Sequence, residues 1–244
     1  MSFHEPGSDV SRLNRAAAGE AVTVAPQTFA VLEQAQRMAE ISDGIFDITV
    51  ASDLVAWGFL PRPDGCQPDP AASWRDIELI APCHVRFHRP LWIDLGGIAK
   101  GYAVDRAISA MALPGEAQSS VNAGGDLRVA GPEAERVLLR GPNDGDAVPV
   151  LEIENAALAS SSGRDDQREI SGRAVGPHLD GATRGSVGTR SFVSVVAEQC
   201  IIADTLTKIV LAQGPSASYL LIRHNATAYF HDGASGWQTF GAVN

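Results

Sequence analysis

Apolar residues recur at near-helical spacing from Phe29 through Leu32, Ala35, Met38 and Ile41, which predicts an amphipathic helix over 27–42 closed by Gly44. That helix leads directly into the segment FDITV. Short β-prone runs follow at 77–80, 85–87 and 91–95, and Ala99–Leu113 then carries small and apolar residues with no breaker before Pro114. A glycine-rich loop therefore sits between a predicted strand and a predicted helix. Further strands are expected at 119–122, 126–130, 136–140, 191–197, 218–223 and 227–231, with a helix over about 202–213 ending at Gly214–Pro215. The four prolines and one glycine of 61–72 forbid regular structure and mark a surface excursion rather than a domain boundary.

Strands outnumber helices, and neighbouring runs are often hairpin-spaced. This pattern fits an α+β fold better than a doubly wound sheet, in which strand and helix would alternate throughout. At 244 residues and 45% apolar composition the chain is long enough for one compact unit or two intimately packed subdomains.

A formal charge of −10 argues against nucleic acid or an anionic membrane as the main partner, because both require a basic surface. An anionic substrate would have to be met by a local site. The three cysteines are widely spaced and form no CxxC pair, so neither a disulfide framework nor a structural zinc is expected. No apolar stretch approaches the roughly 20 residues of a membrane span, and the opening residues lack a signal-peptide apolar region. The chain as written reads as cytoplasmic; a signal ahead of Met1 would make it periplasmic.

Chemistry concentrates in DLGGIAKGYAVD, Asp94–Asp105. Gly96, Gly97 and Gly101 let the backbone approach a ligand, and amides at the start of the following helix suit a phosphate. Lys100 adds a point charge, while Asp94 can accept hydrogen bonds from a ribose or a ring nitrogen. The spacing alone marks a tight turn as readily as a ligand loop, and it is neither a Walker nor a Rossmann pattern. Asp47 follows an apolar run and precedes Ile48 and Val50, so its carboxylate would be costly in a buried strand without a partner. Aromatic residues dominate cores, which makes core packing the simpler role for Trp57 and leaves Phe46 open. NAGGD at 122–126 reads as a hairpin turn, which is compatible with a site role.

DLGGIAKGYAVD strongly resembles the central motif of the ApbE family of FAD:protein FMN transferases. The resemblance continues in SFHEPGSDVSRLN, DGIFDITVASDLVAWGF, VNAGGDLRVAG, LASSSG, HLDGATRG and ADTLTKIVLAQG, in the family's order and over essentially the whole chain. It implies mixed and antiparallel sheets packed with helices over 1–244, lacking a strand and helix that family members usually carry before this point. The implied activity is transfer of the FMN moiety of FAD to a threonine hydroxyl of an acceptor flavoprotein, releasing AMP. Two alternatives stay open: hydrolysis of FAD to FMN and AMP, and FAD binding without catalysis.

By motif matching, the resemblance places FAD against Phe3, Ile45, Phe46, Asp47, Asp94, Lys100 and the backbone of Leu179, with Asn122, Gly124, Gly125 and Asp126 shaping the same cleft. Asp204 is implied as the principal catalytic residue, with His178 as a second candidate. The family's Mg2+ site would use the carbonyl nearest Gly97, Asp204 and a threonine four residues later, but here that position is Lys208. Asp204 and Lys208 share a helix face and could form an ordinary ion pair. In the family context the Lys208 ammonium is expected to replace the metal, with Asp204 orienting the incoming hydroxyl. Thr207 is expected to reach the site only through a local helix distortion. HLDGATRG departs twice more: the family's proline after aspartate is Gly181, and its histidine stands one position closer, as His178.

Overall fold

A computed structural model describes residues 1–111, 118–141, 147–164 and 166–242. In chain order the elements are α1 (Asp9–Arg15), β1 (Ala21–Thr23), α2 (Pro26–Ile41), α3 (Ala51–Ala56), β2 (Ile77–Ile80), β3 (His84–Phe87) and α4 (Ala99–Met111). Then come β4 (Ser119–Ala123), β5 (Asp126–Ala130), β6 (Glu135–Leu138), β7 (Val150–Ile153), β8 (Ala157–Ser162), β9 (Arg168–Ile170) and β10 (Arg173–Val175). The chain ends with β11 (Phe192–Ala197), α5 (Cys200–Gln213), α6 (Ser218–Arg223), β12 (Thr227–His231) and β13 (Trp237–Gly241).

The frame is a six-stranded antiparallel sheet of order β13-β12-β11-β8-β5-β4. Successive side chains of a strand point to opposite faces. Ala159, Val193 and Val195 turn to the main core that includes Leu206, Ile209 and Val210 of α5, whereas Leu158 and Val196 meet Leu151 and Ile153 of the β6–β7 ribbon. With the sheet covered on both sides, α5 is buried along most of its length, which is why its apolar residues are not confined to one stripe. A smaller sheet, β1-β3-β2, packs with α1 and α2 into the same core, which runs without a break from Phe3 to Phe230.

The expected α+β class holds, and so do the long helices and most of the strands. Two predicted strands do not form. Residues 218–223 are α6, where adjacent Leu220 and Leu221 are buried while Tyr219 and Ile222 are 52% and 61% exposed. A strand would bury alternate positions, and six residues are too few for the sequence to separate the two periods. Residues 91–95 form no regular element and belong to no sheet. The buried Asn14 side chain takes the place of a neighbouring strand, donating to the Ile93 carbonyl at 3.0 Å and accepting from the Ile93 amide at 2.8 Å. The glycine-rich loop thus connects an irregular segment, not a strand, to α4. The predicted end of α4 at Leu113 and Pro114 lies outside the described residues. Trp57, expected in the core, is only partly buried at the C-terminal end of α3.

Candidate active site

A cleft of about 420 Å³ opens where the main sheet meets the glycine-rich turn. Its lining includes Ile45–Ile48, the turn with Asp94, Gly96, Gly97 and Lys100, a far wall of Ser160–Ser162, His178, Leu179 and Lys208, and at the edges Phe59, Leu60 and Asp166. A second hollow, lined by Asn122, Gly124, Gly125 and Leu139, adjoins it across the shared Ser160–Ser162 wall. Phe3 lies apart, in a small depression beside His4, Pro6 and Asn14.

The first wall is held by the segment that includes HLDGATRG. Gly181 donates its amide to the Ile45 carbonyl at 2.9 Å, and a side chain at 181 would run into the Gly44 carbonyl and come within 2.5 Å of the Asp47 Cβ. The glycine that stands where the family pattern has proline is therefore demanded by this close approach. Asp47 starts a short 3-10 turn by accepting from the Thr49 amide at 2.8 Å, and Arg184 reaches it at 3.2 Å. The partner that a buried carboxylate needs is thus Arg184, which sequence reasoning did not identify. Burial still pushes the Asp47 carboxyl above its ordinary value, opposed by Thr49 and Arg184.

Asp94 stands just before the glycine turn, and its carboxyl is also raised by burial, opposed first by the Gly96 amide. From α4, Lys100 reaches Asp126 at 2.9 Å. Asp126 begins β5 after the Gly124–Gly125 turn, whose φ angles of 64° and 98° are those a two-residue hairpin requires. Asp126 is fully buried, and burial together with the charge of Asp204 pushes its pKa up to about 6. Its Oδ2 has no hydrogen-bond partner among the described residues. A carboxyl that binds its proton more tightly when folded contributes stability that is complete at low pH and lost as pH rises through about 6. Asp126→Asn should therefore flatten the fall in unfolding free energy between about pH 4 and about pH 7, read by urea titration at both; an unchanged slope would remove Asp126 as its source.

Asp204 is fully buried behind the cleft wall, with both carboxylate oxygens engaged. Oδ2 accepts from the Gly101 amide at 3.2 Å and Oδ1 from the Lys208 ammonium at 2.5 Å. Its carboxylate reaches the cleft only through Lys208. The same ammonium donates to Ser161 Oγ at 2.9 Å and to Thr207 Oγ1 at 3.1 Å. Thr207 makes this contact from a regular α5 with no distortion, because its side chain folds back to donate to the Asp204 carbonyl at 2.7 Å. Ser161, from the LASSSG run, was the other participant not foreseen. Gly97 sits opposite, and a Cβ there would stand 3.3 Å from Lys208 Cε.

His178 hydrogen-bonds through Nε2 to the Ser162 carbonyl at 3.2 Å. A carbonyl can only accept, so Nε2 carries the proton and Nδ1 keeps a lone pair. Burial first, and then the charge of Lys208, lower its pKa to about 4, so the ring is neutral at physiological pH. The last residue of the glycine-rich motif does something else. Asp105 accepts from the Cys200 and Ile201 amides at 2.9 Å each, capping α5 from outside, since the N-cap residue Gln199 makes no side-chain bond there. Arg128 holds Asp105 at 2.6 Å. The motif thus fixes the loop and also the helix that carries Asp204 and Lys208.

The arrangement offers the N-terminal end of α4, two ammonium groups and a neutral imidazole around a cleft with an apolar wall. Those are the requirements for holding a phosphorylated ligand and moving a proton nearby. The donor set does not suit a divalent cation, since Asp204, Ser161 and Thr207 direct their oxygens at an ammonium. Among the described residues no group of three or more His, Cys, Asp or Glu side chains could hold a metal, and no helix is long and apolar enough to cross a membrane.

Known proteins share the sequence pattern and the fold. The FAD:protein FMN transferase of Vibrio cholerae serotype O1 is 26% identical over 230 residues, covering 88% of this chain and 69% of that protein. A solved ApbE protein of Thermotoga maritima superposes with a TM-score of 0.83 at 25% identity, over 99% of this chain and 83% of that one. The apo flavinyl transferase ApbE of Pseudomonas stutzeri shares the fold, with a TM-score of 0.82 at 23% identity over 99% and 81% of the two chains. A model of the ApbE family matches residues 1–230. By that match, over nearly its full length, the chain belongs to the ApbE family.

Proposed function

We propose that the chain transfers the FMN portion of FAD to a threonine hydroxyl of an acceptor flavoprotein and releases AMP. The observation that carries this reading is the convergence of the Gly96–Gly97 turn, Lys100 and Lys208 on one cleft whose other wall is Ile45, Phe46 and Leu179. The apolar wall suits a flavin ring, and the turn at the α4 N-terminus suits the pyrophosphate.

In the reaction the acceptor oxygen attacks the phosphorus on the FMN side. A new phosphoester bond forms, the bond to AMP breaks, and AMP leaves with the bridging oxygen. Negative charge developing on the phosphoryl oxygens is the main barrier, so fixed positive charge beside them contributes most. Lys100 and Lys208 supply it in this reading. Asp94 offers its carboxyl to a ribose or ring N–H. His178, neutral and with Nδ1 unprotonated, accepts a hydrogen bond from the attacking hydroxyl and orients it; with a pKa of about 4 it is too weak a base to keep the proton, which leaves to solvent. Asp204, whose oxygens are taken up within the protein, positions Lys208 and the Gly101 amide. Phe3 stands outside this cleft and is given no role in the step.

Incubating the protein with FAD, with and without a threonine-bearing acceptor flavoprotein, tests the reading through AMP release and acceptor mass. Transfer predicts equal amounts of AMP and of acceptor heavier by one FMN. AMP without modified acceptor would assign the site to FAD hydrolysis, and FAD binding without AMP would make the chain a flavin-binding protein.

A further inference from the structure

We infer that the Lys208 ammonium is the resident cation of this active site, filling a cage of oxygens that would otherwise call for a divalent metal. The inference rests on the transferase reading for its catalytic meaning, but its structural content is independent of it.

The cage is defined by three contacts. An ammonium has three N–H donors, and those of Lys208 have three oxygen acceptors: Asp204 Oδ1 at 2.5 Å, Ser161 Oγ at 2.9 Å and Thr207 Oγ1 at 3.1 Å. The surrounding protons admit one consistent arrangement. Thr207 gives its hydroxyl proton to the Asp204 carbonyl at 2.7 Å, so the 2.8 Å contact between Ser161 and Thr207 is donated by Ser161. Each hydroxyl then turns a lone pair towards Lys208 Nζ and its proton away. That is the orientation a metal ion would impose on the same oxygens. The side chain of Lys208 is only 15% exposed and that of Asp204 not at all, so the pair is fixed within the wall rather than free in solvent.

Charge completes the argument. Asp126 and Asp204 bring two carboxylates, and Lys100 and Lys208 bring two ammonium groups. Each of these two buried carboxylates thus has its own ammonium counter-ion. A divalent cation entering between Gly97 and Asp204 would meet the ammonium at close range, and the repulsion in a partly buried site would oppose its binding. The lysine delivers its charge on a tethered side chain, so it needs no metal from solution and cannot be removed by chelation.

Calorimetric titration of the protein with MgCl2 decides the matter without reference to activity. Wild type is expected to show no saturable binding. Lys208→Thr, which puts a hydroxyl beside Ser161, Thr207 and an uncompensated Asp204, is expected to bind Mg2+ and to melt at higher temperature in its presence. Saturable binding to wild type that disappears in Asp204→Asn would overturn the proposal, and this holds even if Lys208→Thr does not fold. In the FAD assay, AMP release by wild type should change by less than about twofold on adding EDTA, whereas a loss of about a hundredfold restored by Mg2+ would refute a resident ammonium. Absence of AMP under every condition would refute the transferase reading alone, leaving the calorimetry to decide the cation.

Discussion

Asp204→Ala is expected to lower folding stability by about 3–5 kcal/mol and to abolish AMP release, because it strands the Lys208 ammonium in the cleft wall without its counter-ion. The contact is the shortest of three made by that ammonium, and the side chain it leaves is 15% exposed. The Gly101 amide would lose its acceptor as well. A double-mutant cycle separates this effect from loss of packing. If the stranded charge is the cause, Lys208→Met placed on Asp204→Ala should restore a large part of the stability, since no uncompensated ion then remains. Strictly additive losses in urea unfolding would show that the two side chains are not coupled and would remove the basis for Asp204 as the residue that positions Lys208.

How much of this arrangement was legible beforehand follows from the range of each interaction. The Asp204–Lys208 pair is an i,i+4 relation on one helix, and helical spacing alone announces it. Ser161 contributes to the same cage from 47 residues away, and nothing in LASSSG says which of its hydroxyls will face α5. That is settled by the register of β8 against β11, in which Ser161 pairs with Val193. β8 itself escaped notice because alanine and serine carry little β-propensity; it is a strand because both faces of the sheet are covered. Arg184 was hidden for a similar reason. It meets Asp47 across 137 positions of sequence, and only the fold of the loop around Gly181 brings it there. The long helices and the Gly124–Gly125 hairpin were legible because their signals are local: a repeat near 3.6 residues and a pair of glycines able to adopt positive φ. Residues 91–95 misled for the opposite reason. The apolar run is locally indistinguishable from a strand, and Asn14, 79 residues earlier, decides that no strand pairs with it.

Gly101→Ala is expected to cost about 1–3 kcal/mol or more, and to reduce FAD-dependent AMP release along with it. The spacing of the glycines in DLGGIAKGY suggests a ligand reason for all three, but the structure gives Gly101 a different one. A Cβ at this position would overlap the Cys200 carbonyl oxygen, lie 2.7 Å from its carbon and 2.9 Å from the Asp204 Cβ. The obstacle is the backbone of α5, so no rotamer change relieves it, and the two helices must separate. That movement would break the Gly101 amide bond to Asp204 and pull the Cys200 and Ile201 amides from the Asp105 cap, so stability and site geometry should fail together. Gly97→Ala is the informative contrast. Its added methyl meets side chains and no backbone, Lys208 Cε at 3.3 Å and Phe46 at 3.5 Å, so a shift of a few tenths of an ångström accommodates it and the loss in urea unfolding should be well below that of Gly101→Ala. Should both variants unfold alike, the close contact of α4 with α5 at Gly101 would not be what fixes Asp204 and Lys208 in place.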